Sequence, residues 1–308
     1  MKRFITKTFL LITILTGIVY GVDYLIQEGI KTSSYREISK WNEVVEGGID
    51  AEILIVGSSR ALVHFDPKMI EESTGLICYN LGLDGSKYNS QEKVLELYLE
   101  HNKPPKIIYW SLDYSSFKKL EGIYRYEQFI PFWTEKSIKS ILRLNKGMDL
   151  DYLNYPIARF SNNPSIKYRG LLAYTPIRFH EPNLYKGFRK PYQTWDGKFD
   201  QLIENNESIS QGIDSLIFND FVHNSIKLKE MGIEIRWIVS PYYIGAQKVI
   251  SNSSDIIDIY SDTASELKIP FIDMTGDSIS FKKKYFYNGS HLNADGVNKF
   301  SKSLLIEE

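Results

Sequence analysis

The sequence predicts an α/β fold in which five parallel strands form one sheet with helices on both faces. Two observations carry this. Short, mostly apolar runs recur along the chain, the first of them rich in β-branched residues, as strands buried on both faces are. Segments with apolar residues three and four apart separate those runs, and such alternation implies parallel pairing through crossovers.

The 308-residue chain opens with Lys2, Arg3 and Lys7 at the head of an apolar stretch. Residues 8–22 carry no charge. Extended over 4–26, the span reaches the roughly 20 residues of a membrane helix, with Lys7 snorkelling to the headgroups and Asp23 at the far interface. A basic start and an apolar middle also describe a cleaved secretory signal. The stretch 15–22 lacks the paired small residues that cleavage requires, so residues 1–26 read as a retained anchor, with a signal peptide as the alternative. With the positive flank inside, everything after residue 26 lies outside the cytoplasm, in a single-pass protein of the cytoplasmic membrane. Residues 27–50 read as a linker with a short amphipathic helix over 35–46. There Ile38, Trp41, Val44 and Val45 share a face, and Gly47-Gly48 end the helix. That face docks on the following domain or lies on the membrane surface.

The alternation then begins. Residues 51–57 form the first strand and 76–80 the second, followed by a helix over 89–101. Pro104-Pro105 precede a third strand over 106–112. A helix over 211–231 leads to strand 233–239, stopped by Pro241, and a helix over 255–268 leads to strand 270–274. A last helix covers 293–306. Together 51–308 make one doubly wound, flavodoxin-like domain. Residues 115–200 break its pattern with 17 aromatic residues and 15 Lys and Arg against 8 Asp and Glu. A segment this long between two sheet strands reads as a functional insertion.

Several function classes drop out. A net charge of −1 gives no electrostatic footprint for nucleic acid. Cys78 is the only cysteine, so neither an internal disulfide nor a cysteine metal cluster can form. No clustered ligand spacing calls for a metal, and no cofactor is expected.

Ligands of an open parallel sheet bind beyond the carboxyl ends of its strands. There the chain places Gly57-Ser58-Ser59-Arg60, Asn80-Leu81-Gly82-Leu83-Asp84-Gly85, Ser111-Leu112-Asp113 and Ser240-Pro241-Tyr242-Tyr243. Asn288-Gly289-Ser290-His291-Leu292-Asn293 then leads into the last helix. A serine, glycine-bearing turns and a histidine thus share one rim. In these blocks the chain resembles the SGNH (GDSL-type) hydrolases over about residues 50–306. The resemblance implies that Ser59 is the nucleophile, third in its motif, and that His291 is its base. It implies oxyanion donors at the amides of Ser59 and Gly85, with Gly82 a poorer match for the second.

Three positions depart from that pattern. Ser58 stands where the family has aspartate in its first motif. Asp113 stands where it has a donating asparagine, and an ionised carboxylate only accepts. Asn288 stands where it has the aspartate that orients the histidine; an amide oxygen accepts the imidazole N–H without bringing charge. Asp273 and Asp113 are the alternatives for that orienting role. Arg60, Asp113 and Tyr242 are candidates for substrate contact, Arg60 also for a structural ion pair. Ser59 also suits a helix N-cap. His64, His101, His180 and His223 read as structural, although His64 is five residues beyond Ser59 and near enough in sequence to touch the site.

Among relatives of this type, the chain is most similar to membrane-anchored, glycan-modifying ones that work with membrane-bound O-acyltransferases. The expected function is therefore an extracytoplasmic O-acyl esterase or acyltransferase acting on a cell-envelope glycan. The 115–200 aromatics would then stack on sugar rings or pack a small core of their own. The other expectation is a non-catalytic glycan-binding or scaffolding partner of a membrane acyltransferase, for which Asp113 and Asn288 speak.

Overall fold

The computed structural model of the chain describes residues 1–33, 36–120, 122–161, 164–175, 184–205 and 208–307. All five apolar runs are strands: β1 (Ile53–Val56), β2 (Cys78–Asn80), β3 (Ile107–Ser111), β6 (Glu234–Val239) and β7 (Phe271–Asp273), with the small hairpin strands β4 (Leu184–Tyr185) and β5 (Phe188–Arg189) between them in the chain. The sheet is five-stranded and parallel in the order β2-β1-β3-β6-β7, as a doubly wound fold requires. Every residue of β1 is buried, which is why that run carries no polar residue.

The helices are α1 (Lys2–Lys31), α2 (Arg36–Glu46), α3 (Ser59–His64), α4 (Pro67–Thr74), α5 (Tyr88–His101), α6 (Lys136–Arg143), α7 (Pro164–Leu172), α8 (Lys198–Glu204), α9 (Ser215–Glu230), α10 (Ile244–Val249), α11 (Ser253–Leu267) and α12 (Ala294–Glu307). Five of them fall where periodicity places helices. Between β1 and β2 the sequence reading has none, yet α3 and α4 stand there. Both are too short for a periodic signal. The stops around α4 are legible all the same: the Asp66 side chain accepts from the Lys68 amide, Pro67 sits at the first position, and Gly75 ends the helix at φ 71°.

Helix α1 is long and apolar enough to cross a membrane. Its four consecutive residues Phe9, Leu10, Leu11 and Ile12 are all more than half exposed, so no side of this part packs on the protein. The exposed stretch of residues 2–21 spans about 30 Å at the helical rise, close to the thickness of a bilayer core. The helix then continues beyond residue 26 and docks. Asp23 is buried rather than at a free interface: it pairs with Arg159 at 3.3 Å and accepts from the Ile157 amide at 2.7 Å. One turn on, α1 crosses α7 at two glycines. A Cβ on Gly29 would lie 1.9 Å from the Gly170 carbonyl oxygen, and one on Gly170 would lie 2.4 Å from that of Ile26. Only glycine permits that approach.

The insertion therefore joins the apolar helix to the sheet. Its aromatics divide by type. Phe117, Phe129, Phe132 and Phe160 enter the core, while Tyr124, Tyr155, Tyr168, Tyr174 and Tyr192 are more than half exposed. Helix α2 docks on the domain through Ile38, Trp41 and Val44, all buried. It also carries Lys40, only 1 % exposed, whose Nζ donates to the Gly82 carbonyl at 2.7 Å. Beside it, Arg189 of β5 bridges Glu37 at 3.3 Å and Asp84 at 3.1 Å.

Burial drives the Lys40 pKa from its ordinary 10.5 down to about 7; Glu37, Asp84 and Glu43 pull it up and Arg189 pushes it further down. A lowered lysine pKa means that the unfolded chain binds more protons between those two values, so stability rises with pH through that window and the gain is lost as pH falls through about 7. Denaturant unfolding of the detergent-solubilised chain should show a midpoint rising from pH 6.5 to pH 9. Lys40→Met should flatten that slope relative to the parent. Parallel slopes in the two proteins would mean that Lys40 is charged and solvated.

Candidate active site

The first strand delivers Ser59, the candidate nucleophile. After Val56 the chain turns sharply at Gly57, where a Cβ would lie 2.8 Å from that of Ala61 and 2.9 Å from that of Ser111. Ser58 is the N-cap of α3, its Oγ accepting from the Arg60 amide at 3.2 Å. The capping role thus belongs to Ser58, and the hydroxyl of Ser59 is left for other work. Its Oγ lies 2.8 Å from His291 Nε2, across 232 residues of sequence.

The loop before α12 sets the histidine. Asn288 Oδ1 accepts the amides of Ser290 at 3.0 Å and His291 at 2.9 Å, and lies 3.0 Å from His291 Nδ1. Two backbone N–H groups can only meet an acceptor, so they fix the amide oxygen, not its nitrogen, towards the imidazole. His291 then carries its proton on Nδ1, and its Nε2 lone pair faces Ser59. Ser290 Oγ is a further neighbour of Nδ1 at 3.0 Å, and the Tyr287 ring stacks on the imidazole. Asp273 does not share this place; its carboxylate accepts from the amide and hydroxyl of Thr275.

His64 supports the same loop from behind. Its Nε2 accepts the Leu292 amide at 3.0 Å and its Nδ1 lies 2.7 Å from Ser240 Oγ. Burial, then the charges of Arg60 and His291, hold its pKa well below the ordinary range, so it is neutral. His64 reads as structural from the sequence, and the structure places it behind the site, where it holds the 292 amide, shares Ser240 Oγ with Arg60 and stands edge-on to the His291 ring at 6.0 Å. His101 pairs with Glu135 at 3.0 Å on the surface, and His223 is remote from the rim, lining a groove between α5 and α9. His180 lies outside the described residues.

The two glycines have different jobs. Gly85, at φ 64°, is exposed and lines the cavity above Ser59. Among the described residues, neither its amide nor that of Ser59 donates to a protein acceptor. Gly82 packs under α3, where a Cβ would lie 2.2 Å from the Leu62 amide. Buried Asn80 locks this turn, accepting from the Gly82 amide at 2.8 Å and donating to the Ala61 and Phe65 carbonyls. The sequence reading gave Asn80 no role; its place at the end of β2 was the available signal.

Arg60 is 2 % exposed and ties the rim together. One terminal nitrogen donates to the Ser240 carbonyl and, at 2.7 Å, to Ser240 Oγ. The other faces Asp113 Oδ1 at 3.5 Å, and the guanidinium lies 3.3 Å from the centre of the Tyr242 ring. Burial lowers its pKa to about 10 against the pull of Asp113, and it stays charged at neutral pH. Asp113 accepts from Ser58 Oγ, and Tyr242 stacks on Tyr114 at 4.4 Å. All three residues read as substrate contacts border the cavity, yet each is also held by the protein. That cavity, of about 300 Å³, is lined by Ser59, His291, Gly85, Arg60, Lys87 and Phe199 among others. A serine, a neutral imidazole and two free amide donors around one space are the parts of acyl transfer.

No protein-family model matches the chain, and no curated protein sequence matches it. Among solved structures it is similar to a candidate platelet activating factor from Streptococcus pneumonia, at 13% identity and TM-score 0.44, covering 97% of this chain and 98% of that one. It is similar also to a candidate acylhydrolase from Bacteroides fragilis, at 11% identity and TM-score 0.37, covering 89% and 96%. Neither likeness assigns a substrate or a residue role here.

Burial, reinforced by the Arg60 charge, lowers the His291 pKa from 6.5 to about 4, while Asp113 and Asp84 pull it partly back. The acid limb of kcat/KM for a short-chain ester should therefore fall near pH 4, with a plateau through neutrality. Asn288→Asp puts a charge against Nδ1, moves that limb to higher pH and, by strengthening the base, raises the neutral rate about tenfold, or 1.4 kcal/mol of barrier. Superimposable profiles would mean that residue 288 does not face the ring in solution.

Proposed function

We propose that this chain is a membrane-anchored serine hydrolase or acyltransferase of SGNH type, acting outside the cytoplasm on O-acyl esters of a cell-envelope glycan. The observation that supports it most is the relay of Ser59, His291 and Asn288, joined at 2.8 Å and 3.0 Å. Ser59 Oγ attacks the acyl carbonyl while His291 Nε2 takes the hydroxyl proton. The carbonyl oxygen becomes an oxyanion facing the amides of Ser59 and Gly85. Collapse expels the alcohol, which recovers its proton from His291 and leaves the acyl group on Ser59. A water or a sugar hydroxyl then gives its proton to His291 and attacks the acyl-enzyme; collapse breaks the bond to Ser59 Oγ, which takes that proton back, and releases acid or a new ester.

The outward orientation is supported by Lys2, Arg3 and Lys7 ahead of the exposed helix. The glycan is supported by the exposed tyrosines of the insertion, whose faces suit sugar rings. A membrane-bound O-acyltransferase would supply the acyl group or use it. The second reading, a non-catalytic glycan-binding partner, draws on Asp113, whose carboxylate lies where a third oxyanion donor is expected.

A fluorophosphonate probe decides between them. Labelling should map to Ser59 and vanish in Ser59→Ala, whose ester turnover should drop by about a million-fold. Ser58→Ala, which removes a cap worth about 1 kcal/mol, should keep measurable activity. A folded parent that resists the probe would favour the binding partner. In membranes, mass spectrometry should recover the intact N-terminal peptide; a mature start near residue 22 would exclude the retained anchor.

A further inference from the structure

The cavity at Ser59 holds a charge that the acyl-transfer steps do not use. Lys87 follows the Gly85-Ser86 turn at the head of α5 and lines the same space as Ser59 and His291. Its Nζ donates to Ser115 Oγ, and among the described residues no carboxylate lies within ion-pair distance of it. Among the described residues, Asp113 is the only carboxylate lining the cavity, and it is committed to Ser58 and Arg60. Arg60 and Asp113 cancel, so among the described lining residues Lys87 leaves one positive charge without a counter-ion. Removing a cation from water without a counter-ion is costly, and burial indeed lowers the Lys87 pKa. An arriving anion relieves that cost at the moment of binding.

From this we infer that the catalytic cavity contains an anion subsite built on Lys87, so that the ester it takes carries a carboxylate or phosphate group beside the reacting acyl bond. The inference rests on the acyl-transfer reading for the word ester, but the subsite itself does not. The remaining lining suits such a molecule: Phe199, Ile209, Val249 and Ile250 offer an apolar wall for the rest of it, while Ser115 adds a hydroxyl beside Lys87.

The test separates binding from turnover. Full-length Ser59→Ala protein in neutral detergent is titrated calorimetrically at low salt with succinate and with inorganic phosphate. At least one should bind saturably, and the tighter of the two identifies the class. Adding Lys87→Gln should weaken that binding by about tenfold or more, whereas Lys87→Arg should retain most of it. Lys68→Gln, on the exposed face of α4, serves as the charge control and should change nothing. No binding of either anion, or equal binding with and without Lys87, would overturn the subsite. In the active enzyme, Lys87→Gln should erase a preference for a carboxylate-bearing ester over its neutral counterpart. Equal loss on both esters would instead assign Lys87 to the oxyanion and sink the inference. Because the titrations need no turnover, they test Lys87 even in a chain that fails as an esterase.

Discussion

The guanidinium of Arg60 lies where three strands of the sheet end. It follows β1 in the chain, meets Asp113 beyond β3, and donates to Ser240 and Pro241 beyond β6 while resting on Tyr242. A buried charge of this kind is costly unless every neighbour answers it, and removing one partner of such a pair costs about 3–5 kcal/mol. The rim is therefore held as one unit. Ser58 caps α3 and binds the same Asp113, so the residue next to the nucleophile is fixed by the pair that fixes the rim.

That arrangement also explains the departures from the SGNH pattern as a set rather than as three defects. The resemblance expects an acid in the first block and an amide donor in the third. Here the acid stands in the third block and a hydroxyl in the first, and the two still join across β1 and β3. On the proposed mechanism a side-chain donor to the oxyanion would be lost and the backbone amides of Ser59 and Gly85 would remain. At the histidine, Asn288 is oriented by two backbone donors, so correct tautomer selection does not need a carboxylate.

The sheet was legible because parallel strands buried on both faces are mostly apolar, and 53–56 and 107–111 have few other ways to be buried. That Ser59 and His291 meet at one rim was legible from order and strand context. Which serine caps the helix was not, since adjacent serines are chemically equal until the backbone direction is known. Contacts that depend on distant chain crossings left no local trace: Asp23 with Arg159, Gly29 with Gly170, and Lys40 with the Gly82 carbonyl. Lys87 went unnoticed for a related reason. A lysine near a helix start is ordinary until the acids around it are seen to be spoken for.

The crossing of Gly29 and Gly170 bears on where this protein can work. Many anchored domains hang from a slack leash and sweep a hemisphere above the bilayer. Here the leash is missing, because the apolar helix runs without a break into a glycine-to-glycine contact with the folded body. With that helix in a bilayer, the mouth of the site sits at one altitude and one tilt. Such a protein cannot reach out for its substrate. Held so, it would patrol a thin layer parallel to the membrane and meet only molecules that present their reacting groups at that height.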